Sequence, residues 1–145
     1  MKLKSVFWMN EEIPDKYTCN GDNVSPPLEF IDVPADAESL VLIVEDPDAS
    51  SGTWVHWLVW NIPPDIIKFD EGAIPKGAVQ GMNNFGKMSY GGPCPPSGTH
   101  RYYFKLYALN SKLNLEEGSS KADLEQAIEN HILIQTELIG LYSKK

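Results

Sequence analysis

Three runs of β-branched and aromatic residues restrict the folds open to this chain more than any other feature of its sequence. The runs are SLVLIVED at residues 39–46, TWVHWLVWNI at residues 53–62 and HRYYFKLYAL at residues 100–109. Residues of these types favour strands, and segments rich in glycine and proline separate the runs. Short strands with turns between them are typical of an antiparallel sandwich or a Greek-key barrel. The sequence therefore predicts a mainly β fold of one of these two kinds.

One short helix is expected near the C-terminus. Ser120 is a suitable N-cap, and Asp123 stands where a reciprocal capping carboxylate would be. Apolar residues then recur at helical spacing within residues 121–130. The apolar, partly β-branched segment at residues 131–142 predicts a final strand. Weaker strand candidates are KSVFW at residues 4–8, LEFIDV at residues 28–33 and GAVQGM at residues 77–82.

Length and charge limit the partners of the chain. Its 145 residues predict a single domain, residues 1–145, and such a chain buries roughly 70% of the surface exposed when unfolded. The net charge of −8 argues against nucleic acid and anionic membranes, because phosphate backbones bind clustered Lys and Arg. No run approaches the roughly 20 apolar residues of a membrane helix, and the first apolar run is too short for a signal peptide. We expect a cytoplasmic protein with no integral membrane segment.

The two cysteines give no sign of a disulfide framework. Cys19 and Cys94 allow one intramolecular pairing, and the dense cysteine pattern of small secreted scaffolds is missing. We expect both residues to be free thiols, with a disulfide as the alternative in an oxidising compartment. No cofactor is expected.

Polar residues stand at one end of an apolar face in each strong strand. Because side chains alternate between faces, Asp46 ends the face of the first strand, and His100 shares a face with Tyr102 in the third. In the second strand, alternation groups His56 with Trp54, Leu58 and Trp60. If the strands are neighbours, Asp46, His56, His100 and Tyr102 converge on a small pocket, where they bond to each other or to a ligand. A satisfied core histidine remains the alternative for each ring.

The segment at residues 63–98 is rich in glycine and proline and contains only one weak strand candidate. Compact domains seldom keep such long irregular segments unless these shape a site. We therefore expect this segment to border the pocket.

Three stretches in a fixed order resemble the phosphatidylethanolamine-binding protein family, also called Raf kinase inhibitor-like proteins. They are YTCNGDNVSPPLEF at residues 17–30, DPDASSGTWVHWLVWNI at residues 46–62 and GGPCPPSGTHRYYFKLYAL at residues 91–109. The match covers nearly the whole chain, and the short chain resembles the bacterial and archaeal YbhB/YbcL-type branch. The resemblance implies an antiparallel β-sandwich with an anion pocket that accepts phosphate, acetate or a phospholipid head group.

Carried over by motif, the resemblance assigns residues to that pocket. Asp48 is interpreted as a supporting acceptor or a turn residue, and Arg101 as the partner of a carboxylate such as Asp48 or Glu45. Ser50 stands where the family usually has proline, so the turn at the pocket's edge is expected to be less rigid. The expected ligand-binding residues are Asp46, Trp54, His56, Gly92, Pro93, Cys94, His100 and Tyr102.

The residue types suit weak binding of an anion that depends on pH. Imidazole and phenol groups donate hydrogen bonds, and Asp46 is expected to accept one from a histidine and to raise the pKa of that ring. No Lys or Arg provides a charge clamp. Affinity should therefore strengthen as the histidines become protonated.

Other functions remain open from the sequence. A hydrolase would use Cys94 or Ser97 with His100 and Asp46, although the spacing matches no hydrolase motif. A metal site would use Asp46, His56 and His100. A protein-interaction module would inhibit a kinase or protease through the rim of the pocket, and the family resemblance makes a homodimer plausible. We favour a non-enzymatic anion-binding protein with no catalytic or metal-ligating residue.

Overall fold

A computed structural model describes residues 1–145, which form two β-sheets packed against each other and one helix. The helix α1 spans Lys121–Ile128, and a 3-10 turn spans Asp15–Tyr17. The strands are β1 (Lys2–Lys4), β2 (Glu11–Glu12), β3 (Leu28–Ile31), β4 (Ser39–Asp46), β5 (Trp54–Ile62), β6 (Lys68–Phe69), β7 (Val79–Gln80), β8 (Thr99–Leu109) and β9 (Ile132–Ser143).

The larger sheet has the strand order β2-β9-β8-β4-β5-β7, and the smaller has the order β1-β3-β6. Neither sheet closes on itself, so the open sandwich is confirmed and the barrel alternative is wrong. Neighbouring strands are antiparallel except for β2, which pairs in parallel with β9 through Glu11 and Glu12. No helix of the chain has the length and apolar character of a membrane span.

Strand β4 is buried along its whole length, which explains the continuous apolar run in its sequence. On one face, Leu42 and Val44 pack in the core between the two sheets, which also contains Phe30 from the smaller sheet. On the other face, Val41 and Ile43 belong to a second cluster beneath α1. The central strand therefore joins two cores, and the pocket described below lies at its C-terminal end.

The strong elements agree with the sequence, and the weak ones are shorter than expected. Helix α1 has the predicted capping box, because the Ser120 side chain accepts from the Asp123 N–H while Asp123 accepts from the Ser120 N–H. The candidate at residues 4–8 is wrong beyond Lys4, since β1 pairs only with β3 and the chain then leaves the sheet. The candidate at residues 77–82 is reduced to Val79–Gln80, which pairs with two residues of β5.

A β-bulge at His56 breaks the alternation of strand β5. Val44 of β4 lies opposite Trp57, but the next residue of β4, Glu45, lies opposite Val55, so His56 has no partner in the register. The expected grouping of His56 with Leu58 and Trp60 is therefore wrong. Those two residues belong to the cluster beneath the helix, whereas Trp57 belongs to the core between the sheets.

The cysteines form a disulfide, so the expectation of free thiols is wrong. Cys19 and Cys94 are bonded across a sequence separation of 75 residues. Hydrogen bonds join the same two segments, since the Cys19 N–H donates to the Pro93 carbonyl at 3.2 Å and the Tyr90 hydroxyl donates to the Tyr17 carbonyl at 2.8 Å. Folding of the sandwich brings these two loops together, and nothing in the local sequence indicates that contact.

We expect the double variant Cys19→Ser/Cys94→Ser to lower the free energy of unfolding by about 2–4 kcal/mol, because a cross-link over a long loop restricts the unfolded chain. Urea denaturation with and without reductant measures the change. Reductant should destabilise the wild type and leave the double variant unaffected. Equal stability of the two proteins without reductant would contradict the prediction.

Candidate functional site

A pocket of about 240 Å³ opens at one end of the strands of the larger sheet, where β4 ends and where β5 and β8 begin. Because β4 lies between β5 and β8, the structure brings together the four polar residues that strand periodicity grouped. The lining residues are Asp46, Ala49, Ser50, Ser51, Trp54, His56, Phe85, Cys94, Pro95, Pro96, His100 and Tyr102.

Asp46 and His100 form a buried pair across β4 and β8. The Nδ1 atom of His100 lies 2.6 Å from Oδ2 of Asp46, and both residues are largely buried, at 9% and 3% exposure. The other carboxylate oxygen, Oδ1, accepts from the Asp48 N–H at 2.7 Å. A carboxylate accepts, so His100 donates through Nδ1 and its Nε2 remains available. The expected role of Asp46 as the acceptor that orients an imidazole agrees with this geometry.

His56 is oriented by the backbone of the glycine-rich loop. Its Nδ1 lies 2.6 Å from the Gly91 carbonyl oxygen, and its own carbonyl accepts from the Gly91 N–H at 3.0 Å. A carbonyl only accepts, so Nδ1 carries the proton and Nε2 is again the free ring nitrogen. The bulge makes this bonding possible, since it releases His56 from the ladder with β4.

Asparagine side chains fix the loop that carries Gly91. Asn84 pairs with Val55 in both directions, through a backbone bond of 2.9 Å and a side-chain bond of 2.6 Å. Asn83 accepts from the N–H groups of Phe85 and Lys87, which closes a turn that places Phe85 over the pocket. The irregular segment at residues 63–98 therefore does border the site.

Tyr102 lies beneath both histidines. Its ring meets the His56 ring edge-on at 5.2 Å and lies nearly parallel to the His100 ring at 6.4 Å between centroids. No protein group bonds to the Tyr102 hydroxyl or to Nε2 of either histidine, and no buried side-chain nitrogen or oxygen lacks a partner. These three polar atoms are therefore accessible from the pocket.

Burial sets the charge state of two pocket residues. Desolvation lowers the pKa of His56, and the bond to the Gly91 carbonyl opposes this only in part. Burial also raises the pKa of Tyr102, so its hydroxyl keeps its proton. The charge of Asp46 raises the pKa of His56, but desolvation outweighs this attraction, so the net shift of that pKa is downward.

Asp48 and Arg101 form a forked ion pair outside the pocket. Oδ2 of Asp48 accepts from both the backbone N–H and Nε of Arg101 at 2.9 Å, and Oδ1 accepts from an outer guanidinium nitrogen at 2.8 Å. The guanidinium also contacts the ring of Tyr103, which points it away from His100. Both sequence interpretations of Asp48 fit the structure, since it lies in the turn after β4 and its side chain accepts from Arg101.

Two residues assigned to the pocket lie behind it. The Gly92 N–H donates to the Asn23 side chain at 2.8 Å, and a Cβ on Gly92 would clash with the Tyr17 carbonyl. Pro93 accepts from the Cys19 backbone and likewise does not line the pocket. Both residues instead hold the segment around Cys19, so Cys94 is the one residue of the three assigned from this loop that lines the pocket.

The alternation of side chains along strands did not predict the pocket residues that lie in loops. Phe85 and the two prolines after Cys94 lie in irregular loops, where no alternation assigns a face. The family motif gives a signal for Ser50 and its neighbours, since they directly follow Asp-Pro-Asp. Ser50 is placed at the pocket's edge by the motif, and the lining residues that were missed are Ala49, Ser51, Phe85, Pro95 and Pro96.

The metal-site alternative would need three ligating side chains close together. No group of three His, Cys, Asp or Glu side chains in the chain is arranged to hold a metal ion. In the structure His100 donates through Nδ1 to Asp46, and Asp46 accepts.

Fold and site together define the class: an open β-sandwich with a small pocket of histidine, aspartate and tyrosine at one end of the strands of its larger sheet. The sequence matches the family model described as phosphatidylethanolamine-binding protein over residues 3–143. The chain therefore belongs to the phosphatidylethanolamine-binding protein family, as the motifs implied.

Relatives and solved structures agree with this membership. A UPF0098 protein of Methanothermobacter thermautotrophicus is 53% identical over 150 residues, covering 99% of each chain. The crystal structure of CT736 from Chlamydia trachomatis, a phosphatidylethanolamine-binding protein homolog, superposes with a TM-score of 0.94 at 48% identity, covering 99% of this chain and 97% of that one. E. coli YbcL, described as a member of the mammalian PEBP family, gives a TM-score of 0.92 at 32% identity, covering 99% and 98%.

The Asp48–Arg101 pair generates a prediction about pH. The guanidinium lowers the Asp48 pKa from 3.8 to about 2, so the stabilisation that the pair provides is present above the unfolded pKa and is lost as the pH falls toward 2. We expect Arg101→Gln to return the Asp48 pKa toward 3.8 and to remove this acid dependence. Carboxyl NMR titration measures the pKa directly.

Lys112→Gln is the matched control, since Lys112 is an exposed cation that forms no ion pair. It should leave the Asp48 pKa unchanged. An Asp48 pKa that stays near 2 in Arg101→Gln would show that another group holds the carboxylate ionised.

Proposed function

We propose that this protein is a non-enzymatic binding protein whose pocket holds a small anion of the phosphate type, either free phosphate or a phosphomonoester head group. One observation carries the proposal: Nε2 of His56, Nε2 of His100 and the hydroxyl of Tyr102 face the pocket without protein partners. Ligand pockets place a few convergent polar groups in a mostly apolar lining, so three accessible polar atoms without protein partners favour a ligand that bonds to all of them.

The bonding of the two rings determines how a phosphate binds. With Nδ1 donating to the protein, a neutral ring presents Nε2 as a bare acceptor, which repels a fully ionised anion. A proton is therefore required at each contact, either on the imidazole or on a P–OH group of the ligand. Because desolvation lowers the pKa of His56, we propose that the ligand carries the proton in that contact.

The affinity should be modest. The pocket lining contains no Lys or Arg, so no fixed positive charge attracts the ligand. Hydrogen bonds to charged groups contribute about 1.5–3 kcal/mol each, against association costs of at least about 4 kcal/mol. Trp54, Phe85 and Pro95 add an apolar wall that suits a carbon substituent on the phosphate better than water does. We therefore propose tighter binding of a phosphomonoester than of free phosphate.

The structure offers little to a hydrolase. Cys94 is bonded to Cys19 and has no thiol to attack a substrate, and Ser97 does not line the pocket. The absence of catalysis is thus part of the proposal, tested by the lack of ester or phosphoester turnover.

A protein partner such as a kinase or protease is a second candidate, favoured by the exposed apolar side chains of Met82, Phe85 and Met88.

The disulfide bears on where the protein works. Disulfides persist in oxidising compartments and in the cytoplasm of some hyperthermophiles, and are rare in other cytoplasms. A cytoplasmic location stays a prediction, and it requires a cytoplasm of that second kind for Cys19–Cys94 to remain bonded.

We expect His100→Ala to weaken binding of phosphate and O-phosphoethanolamine at least tenfold, because it removes one of three ligand contacts and frees Asp46. NMR titration of the histidine ring signals measures the affinity. His131→Ala is the matched control, since His131 bonds Asn110 away from the pocket. Ring signals of His56 and His100 that do not move with either ligand would overturn the proposal.

The source of the proton is tested by comparing phosphate with sulfate between about pH 5.5 and pH 8. Both ligands should bind more tightly at lower pH, since protonation of either partner creates a donor. Sulfate has no proton to give in this range, so it should bind more weakly than phosphate at every pH. Equal affinities for the two ions would show that the histidines provide both protons.

A further inference from the structure

A second cavity, of about 290 Å³, opens beside β5 and β7, where it is enclosed by three loops at residues 23–25, 72–74 and 89–90. It shares no lining residue with the pocket described above, and no Lys, Arg, His, Asp or Glu side chain lines it. A ligand of this cavity would therefore meet a neutral polar surface, which differs from the histidine and aspartate surface of the first pocket.

Ser25 carries a hydroxyl that the protein does not use. The residue is 5% exposed, and its backbone carbonyl accepts from the Gly72 N–H at 2.9 Å. Its hydroxyl bonds to no protein group, yet no fully enclosed side-chain oxygen or nitrogen of the chain lacks a partner. The hydroxyl therefore keeps contact with solvent, and because Ser25 lines the cavity, a molecule in the cavity can bond to it.

Two carboxamides in the lining have donors to spare. The side-chain oxygen of Gln80 accepts from Nε1 of Trp57 at 2.7 Å, and the side-chain oxygen of Asn23 accepts from the Gly92 N–H at 2.8 Å. Since each oxygen bonds to an N–H group, these bonds set the orientation of both amides. The amide nitrogens of Gln80 and Asn23 are left as donors without a protein acceptor.

The segment of Ser89 and Tyr90 completes the cavity with a second hydroxyl and an aromatic ring. The Ser89 carbonyl accepts from the Asn83 side chain at 2.7 Å, which holds the segment in place and leaves the Ser89 hydroxyl without a protein partner. The ring of Tyr90 meets the ring of Trp57 edge-on at 5.4 Å between centroids. The cavity thus combines polar groups that converge from separate loops with an apolar wall, as ligand pockets do.

We propose that this cavity binds a small neutral molecule with several hydroxyl groups, of the polyol or monosaccharide class. The amides of Asn23 and Gln80 donate to its oxygens, and the hydroxyls of Ser25 and Ser89 donate or accept. Ions are disfavoured, because no charged side chain lines the cavity and an enclosed charge without a partner is costly. The proposal does not depend on the anion pocket, and failure of one says nothing of the other.

A tryptophan indole reports binding. Because Trp57 donates to Gln80, a molecule that bonds to Gln80 should move the Trp57 Nε1–H signal in nitrogen–proton correlation spectra. The other tryptophans are internal controls: Trp60 lies in the cluster beneath the helix, Trp54 lines the first pocket and Trp8 is 68% exposed. Titration with D-glucose and myo-inositol should move the Trp57 signal selectively and to saturation. An unmoved Trp57 signal, or equal movement of all the indole signals, would overturn the proposal.

D-Glucuronate tests the preference for a neutral ligand, since it differs from D-glucose by a carboxylate in place of one CH2OH group. Judged by the same Trp57 signal, it should bind at least fivefold more weakly than D-glucose, because the cavity lining has no charge to pair with the carboxylate. Equal affinities for the two compounds would contradict the assignment to neutral molecules.

Ser25→Ala tests the role of the unused hydroxyl. It should weaken binding of the bound sugar or polyol at least fivefold, while the free energy of unfolding without ligand should not fall, because the hydroxyl bonds to nothing in the protein. Ser97→Ala is the matched control, since Ser97 is exposed and lines neither cavity, and it should change neither quantity. Ser89→Ala repeats the test at a less buried position. Unchanged binding in both Ser25→Ala and Ser89→Ala would overturn the assignment of these residues to a ligand.

Discussion

The hydrogen bond between Asp46 and His100 is the interaction on which the site depends. It joins the C-terminal end of β4 to the start of β8, and the second carboxylate oxygen holds the turn toward Asp48. A buried carboxylate is costly unless its oxygens are bonded, and here both are. This one residue therefore aligns two strands, orients a ring and starts the turn that becomes the pocket's rim.

The second histidine is held by different means, and the two rings differ in consequence. His100 donates to a carboxylate, whereas His56 donates to a neutral carbonyl in a more enclosed position. Burial without a paired charge favours the neutral ring. The two rings of the proposed anion site therefore have different protein partners, a carboxylate for His100 and a backbone carbonyl for His56.

Much of this arrangement follows from sequence, and the exceptions have physical causes. Alternation placed Asp46, His100 and Tyr102 because β4 and β8 pair in an unbroken register. It misplaced Leu58 and Trp60 because one extra residue at a bulge reverses the faces of the residues that follow it, up to a second irregularity before Ile62. The Cys19–Cys94 bond and the position of Phe85 depend on loops whose meeting is decided by the whole fold. Family motifs identified the Cys94 loop but not which of its residues face the pocket. Gly92 and Pro93 instead bond to Asn23 and to the Cys19 backbone behind the pocket.

The loop that binds His56 has a second consequence, for assembly. Its backbone bonds to Val55, His56 and Leu58 occupy the outer groups of β5, as an additional strand would. One side of the sheet is thus sealed. The loop that shapes the pocket therefore also keeps the β5 side of the larger sheet from pairing with a further strand.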